Sequence, residues 1–298
     1  MLKSRLLKDS IARHYMLFAT VMAIFFLFLI GGGLFVNSLS IIKEKGLWTL
    51  LTTSNWRPFK GDFGFASYII STLYVTGIAI IIALPLSLLT SVYIIEYASP
   101  GILRAFSSVV DLLSGIPPVI YGVWGTLTIV PFISEKVAPH FNALSTGYSV
   151  LAGGIVLAIM ITPLIISILM EVFLAVPKEM REASMSLGAT KWQTVKKVVL
   201  RKSVPGIVAA TVLAISRAFG ETIAVLMVCG NFTDIPKSIF DACYPIPALI
   251  ANNYGEMMSV PKYESALMLA AFLLFFIIVV FNVISRLVLV QIDKRYKL

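Results

Sequence analysis

Pro177-Lys178-Glu179-Met180-Arg181-Glu182-Ala183-Ser184-Met185-Ser186-Leu187-Gly188-Ala189-Thr190-Lys191-Trp192-Gln193-Thr194-Val195-Lys196-Lys197-Val198-Val199-Leu200 is a polar island between two apolar runs. Proline suits a helix start, where its missing N–H would be unpaired in any case. Glu179 and Glu182 follow in the first turns, where the helix dipole favours acid. Gly188 interrupts the helical pattern, and Lys191, Lys196 and Lys197 follow it. The segment predicts a helix, a turn and a second, basic helix.

Outward from this island the charges stop. Phe141–Met170 precedes it without a charge, and Val204–Gly230 follows, interrupted by Arg217 and Glu221. Farther out lie Leu112–Ser134, Phe63–Ile95 and Tyr15–Ile42 on one side and Ala266–Ser285 on the other. A spanning helix needs about 20 apolar residues, so six spans are expected. Composition agrees: 58% of the 298 residues are apolar and 13% charged, against about 45–50% and roughly 25% in soluble chains. The fold class is an all-α integral membrane protein of about six transmembrane helices.

The net charge of +9 lies at the ends of the apolar runs. It therefore reads as membrane orientation rather than nucleic-acid binding. With the N-terminus inside, the inner segments hold 16 of the 24 Lys and Arg residues, Lys297 among them, and the outer ones 7. Both ends are then expected in the cytoplasm. Met1–Arg13 is basic, but the run after it exceeds a signal-peptide core of roughly 7–15 residues, so an uncleaved first span is expected. Cys229 and Cys243 form no C-x-x-C motif, and His14 and His140 lack ligand-spaced companions. No metal is expected.

Three spans carry interior prolines: Pro85, Pro117-Pro118 and Pro163. Proline removes a helix hydrogen bond, and in lipid the freed carbonyl needs protein or water. Pro85 reads as a packing kink. Leu113-Ser114-Gly115-Ile116-Pro117-Pro118 reads as a kink or as a break lining a pathway. Arg217 falls mid-span, where a charge costs on the order of 2.5–3.5 kcal/mol. Glu221, four residues on, would share its helix face. The two form either a self-neutralising lock or a pathway site, in which the guanidinium fork binds an oxyanion and Glu221 competes with it. Asp111 reads as an interfacial acid pairing with Arg104 or as a pathway residue.

Glu182-Ala183-Ser184, three residues, Gly188, nine residues, Val198, one residue, Leu200 resembles the EAA loop of ABC importer permeases. There the pattern is Glu-Ala-Ala, then Gly, then Ile and Leu-Pro at the same spacing. Ser184, Val198 and Arg201 depart from it. The resemblance implies a coupling helix, Glu182, Ala183, Ser184, Gly188, Ala189 and Thr190, docking on a separate ATPase. A helix lying on anionic lipid is the alternative. The chain has no G-x-x-x-x-G-K-[ST] phosphate loop. ATP and Mg would therefore be bound by the partner, with no cofactor on this chain.

Phe219-Gly220-Glu221-Thr222-Ile223-Ala224-Val225-Leu226-Met227-Val228-Cys229-Gly230-Asn231 resembles the PstC-type permeases of bacterial phosphate importers. So do Leu113–Gly122, Gly147–Val150 and Leu157–Met160, and more loosely Leu249–Asn253. The sister PstA type usually has Ala-Pro after Gly-Glu-Thr, which is absent here. The resemblance runs from about Phe63 to the C-terminus. It implies a type I (MetI-like) importer permease that pairs with a PstA-like permease subunit. Two PstB-like ATPase subunits and a PstS-like phosphate-binding protein would complete the assembly. Residues 1–62 form an N-terminal basic segment, first span and outer loop, and 63–298 the transmembrane domain with its inner loop at 176–203. Pathway residues are expected to be Arg217, Glu221, Thr222, Ser114 and Gly115. Sulfate or molybdate would suit the arginine equally well. A membrane enzyme lacks its nucleophile and base, and a lone carrier usually shows paired repeats, which this chain lacks.

Overall fold

The computed structural model describes residues 2–255 and 261–296. Residues 256–260 of the predicted outer loop Asn231–Ser265, Met1 of the basic N-terminal segment and Lys297 of the inner charge set lie outside the described residues. The helices are α1 (Leu2–Lys45), α2 (Leu47–Thr52), α3 (Ala66–Glu96), α4 (Pro100–Ser114), α5 (Pro118–His140) and α6 (Val150–Leu174). They continue with α7 (Lys178–Ser186), α8 (Lys191–Gly220), α9 (Ile223–Val228), α10 (Ile246–Asn253) and α11 (Pro261–Tyr296). A short antiparallel hairpin, β1 (Trp56–Arg57) and β2 (Asp62–Phe63), pairs Trp56 with Phe63.

Five helices are long and apolar enough to cross a membrane, and α4 with α5 forms a sixth candidate bent by 88°. The predicted third span, Leu112–Ser134, is therefore cut near its start. Gly115, Ile116 and Pro117 break the helix, because Pro118 cannot donate and Pro117 holds its neighbour away from helical geometry. By itself α5 has 23 residues, about 34 Å at 1.5 Å per residue, enough for a crossing. The fourth expected span begins late, because Phe141–Ser149 is loop and Ser149 caps α6 by accepting from the Ala152 amide. At Pro85, α3 continues without a break.

The core is the α3–α6 contact. Ser67, Ser71, Val75, Ala79, Ala83, Ser87 and Ser91 are all buried. Their four-residue spacing places one small side chain per turn on the same face. Opposite them, Gly154 of α6 lies so close that a Cβ there would sit 2.4 Å from Ile78 Cγ2. Ser87 and Ser91 donate to the Thr162 and Ile166 carbonyls at 3.4 Å. Between lipid-immersed helices, close packing of this kind replaces the hydrophobic drive.

A second cluster gathers Phe63, Phe65, Tyr68, Tyr244, Leu249 and Tyr263 around Trp56. A third, smaller one joins Val110 of α4 to Ile94, Ile166 and Met170. This contact holds α4 across the ends of α3 and α6. The first helix stands apart from all three along most of its length. Among its described residues from Ser10 on, the buried ones begin at Gly31, where it meets Phe275 and Phe272 of α11.

Candidate functional site

The inner loop folds as its residues predict. Pro177 opens α7, Gly188 turns the chain with φ +84, and α8 starts behind a complete capping box. Thr190 accepts from the Gln193 amide, and Gln193 accepts from the Thr190 amide. Ser184 and Thr194 share a hydrogen bond of 2.9 Å between the two arms, with Thr194 buried. Glu182, Ala183, Gly188 and Thr190 remain exposed. The hairpin thus presents its acidic and small residues outward on a closed frame.

Sequence reasoning missed what holds this hairpin to the bundle. Arg181 Nε and Nη2 donate to Glu96 Oε1 at 3.0 and 2.9 Å. Its Nη2 also donates to the Phe173 carbonyl at 2.7 Å, and its Nη1 to the Val176 carbonyl. The two carbonyls lie at the end of α6 and just beyond it, and the Phe173 one also accepts from the Val176 amide. The two charged side chains are 15% and 8% exposed. Beside them, the Lys191 ammonium sits 5.0 Å from the centre of the Tyr97 ring. No sequence spacing could join them, since Glu96 lies 85 residues before Arg181.

Around Arg217 the structure departs from expectation. Helix α8 ends at Gly220, and Glu221 is extended, with φ −71 and ψ 129. The four-residue spacing therefore does not put Arg217 and Glu221 on one helix face. No ion pair joins them among the described residues. Instead the Glu221 carboxylate turns forward and accepts from the Ala224 amide at 3.3 Å, in the first turn of α9. It also borders a cavity of about 10 Å³ shared with Thr72 and Thr76 of α3, close to the volume one water needs. Arg217 is exposed, with no side-chain partner among the described residues. Thr222 is half-buried and donates to the Gly220 carbonyl.

Ser114 and Gly115 lie exposed at the α4–α5 break, and Ser114 donates to the Val110 carbonyl of its own helix. No hydrogen bond joins them to Arg217, Glu221 or Thr222 among the described residues. The helices beyond the two breaks do meet. A Cβ on Gly122 of α5 would touch Ala224 and Met227 of α9, and one on Gly125 would touch Val228. Thr126 donates to the Met227 carbonyl at 3.1 Å. Two broken segments thus start side by side and run parallel. Asp111 and Arg104 make no ion pair among the described residues: both are exposed, and Arg104 turns to the Pro100 carbonyl instead.

Residues 83–298 match the family described as binding-protein-dependent transport system inner membrane component. The chain is 34% identical to the phosphate transport system permease protein PstC of Xylella fastidiosa, over 82% of this chain and 79% of that one. A probable PstC from Methanocaldococcus jannaschii is 34% identical over 89% of each chain. A probable ABC transporter permease of Bacillus subtilis, YqgH, is 36% identical over 84% of this chain and 80% of that one. Among solved structures, a chain of a bacterial alginate ABC transporter superposes with a TM-score of 0.62 at 16% identity, covering 96% of both chains. A chain of the MetNI methionine ABC transporter gives 0.56 at 20% identity, covering 77% of this chain and 94% of that one.

Proposed function

The chain belongs to the inner-membrane components of binding-protein-dependent transport systems, and we propose that it is the PstC-type permease subunit of an ATP-driven phosphate importer. The observation that carries this reading is the likeness to PstC proteins over four fifths of the chain or more, together with a closed, outward-facing EAA hairpin. Phosphate is the inferred substrate. A PstA-like subunit completes the pore, two PstB-like ATPases bind ATP and Mg, and a PstS-like protein delivers the anion.

In this mechanism the ATPases grip the hairpin through the exposed Glu182, Ala183, Gly188 and Thr190, with the half-buried Ser184 and Ala189 completing the segment. Helix α8 carries the movement onward, since it runs from the hairpin at Lys191 to Gly220, about 45 Å. One turn, Val195–Val199, bonds in the wider π pattern, which loosens the rod near its base. Arg217 sits in the last turn of α8. Its free guanidinium can bind a tetrahedral oxyanion with two parallel hydrogen bonds. Glu221, turned aside to cap α9, leaves that charge available and adds a local negative field that aids release. Thr222 at the α8–α9 break and Ser114 and Gly115 at the α4–α5 break are the further pathway residues of this reading.

Uptake of labelled phosphate by vesicles holding the full complex tests this. Arg217→Ala is expected to lower uptake on the order of a hundredfold while the complex still assembles, the scale of losing a charge-assisted bidentate contact of up to about 3 kcal/mol. Excess unlabelled sulfate should leave wild-type uptake unchanged. Competition by sulfate would assign the chain to another oxyanion. Normal uptake by Arg217→Ala would remove Arg217 from the pathway.

A further inference from the structure

We infer that Arg181 is the positioning residue through which the α7–α8 hairpin moves the α3–α6 pair, a reading that rests on the transport function proposed above. Helix α7 is flanked by two joints. Pro177 is extended, with ψ 141, and Gly188 is left-handed. A force applied to α7 alone would be absorbed by rotation at Gly188 and about ψ of Pro177, whose φ the ring fixes. Arg181, between the joints, closes that freedom. Its guanidinium is held by the Glu96 carboxylate on one side and by the Phe173 and Val176 carbonyls on the other. One side chain therefore ties α7 to the ends of α3 and α6 together.

The second arm grips the same place. Beyond the Gly188 joint, the Lys191 ammonium stacks on Tyr97, the residue next to Glu96. The inner end of α3 is thus held from both arms of the hairpin. In turn α3 and α6 are packed through the four-residue stripe and the Gly154–Ile78 contact. They must travel as one body. Arginine suits this role because its planar fork can satisfy a carboxylate and several carbonyls at once. A buried pair also holds its geometry better than a surface pair, where water and side-chain entropy compete.

The test uses vesicles holding the full complex with loaded binding protein outside, and reads phosphate moved per ATP hydrolysed. Arg181→Ala is expected to lower this ratio about tenfold while the ATPases still co-purify. Arg181→Lys should recover part of it, because the charge facing Glu96 returns without the fork that holds the carbonyls. Glu96→Gln, which keeps an acceptor, should fall less than Arg181→Ala. A wild-type ratio in Arg181→Ala would overturn the inference, whatever the absolute rate. So would loss of the ATPases from both Arg181 variants, which would make the residue a folding determinant only. A wild-type complex that moves no phosphate would overturn the substrate reading alone. The linkage is then read from stimulation of ATP hydrolysis by the loaded binding protein, which Arg181→Ala should abolish and which, if retained, sinks it.

Discussion

At the scale of single residues, the hairpin is set by two choices. Ser184 stands where the resembling family has alanine, and the structure gives it a purpose: it shares a hydrogen bond with the buried Thr194 hydroxyl. Ser184→Ala leaves that hydroxyl unpaired. It should cost about 1–3 kcal/mol, read as a lower melting temperature of the purified complex. Gly188 has φ +84, so Gly188→Val should cost roughly 1–2 kcal/mol for its left-handed backbone, and Gly188→Asn clearly less. Gly188 was legible as a break in the helical pattern, and Ser184 only through the family resemblance, without its bond to Thr194. The Arg217–Glu221 geometry was not, because the four-residue rule presumes a helix that continues. Gly220 is a weak helix former, and the Glu221 carboxylate captures a backbone amide of the next turn instead.

At the scale of elements, hydropathy located every crossing helix, and it missed what packs them. The stripe from Ser67 to Ser91 was present in the sequence at a spacing of four. Its serines and alanines carry little weight on a hydropathy scale, so the run read as uniform. The α4–α5 corner was half visible, since the two prolines announced a break without its angle. Small residues at close contacts fix the helix spacing, and this can be checked. Gly154→Leu should destabilise the bundle by about 1–3 kcal/mol through overpacking, seen as a lower melting temperature. Ile78→Ala in the same chain should return part of that loss, because Ile78 is the side chain a Cβ would strike. Failure of this rescue would mean that the strain lies elsewhere on the α3–α6 contact.

At the scale of the whole molecule, stability is unevenly distributed. Leu157, 1% exposed in the central cluster, should cost about 2–5 kcal/mol when cut to alanine. Phe28 of α1 is 73% exposed, and Phe28→Ala should stay within about 0.5 kcal/mol in the same thermal assay. The contact between α1 and α11 also has a consequence in time. It joins the first long helix of the chain to the last, through Gly31, Phe35, Phe272 and Phe275. At roughly 5–20 residues per second of synthesis, α1 waits roughly 10–50 s for its partner to leave the ribosome. An aqueous domain could not leave so apolar a helix unpaired for that long, but the bilayer is already a good solvent for it. Docking of α1 on α11 is therefore a late event in biogenesis.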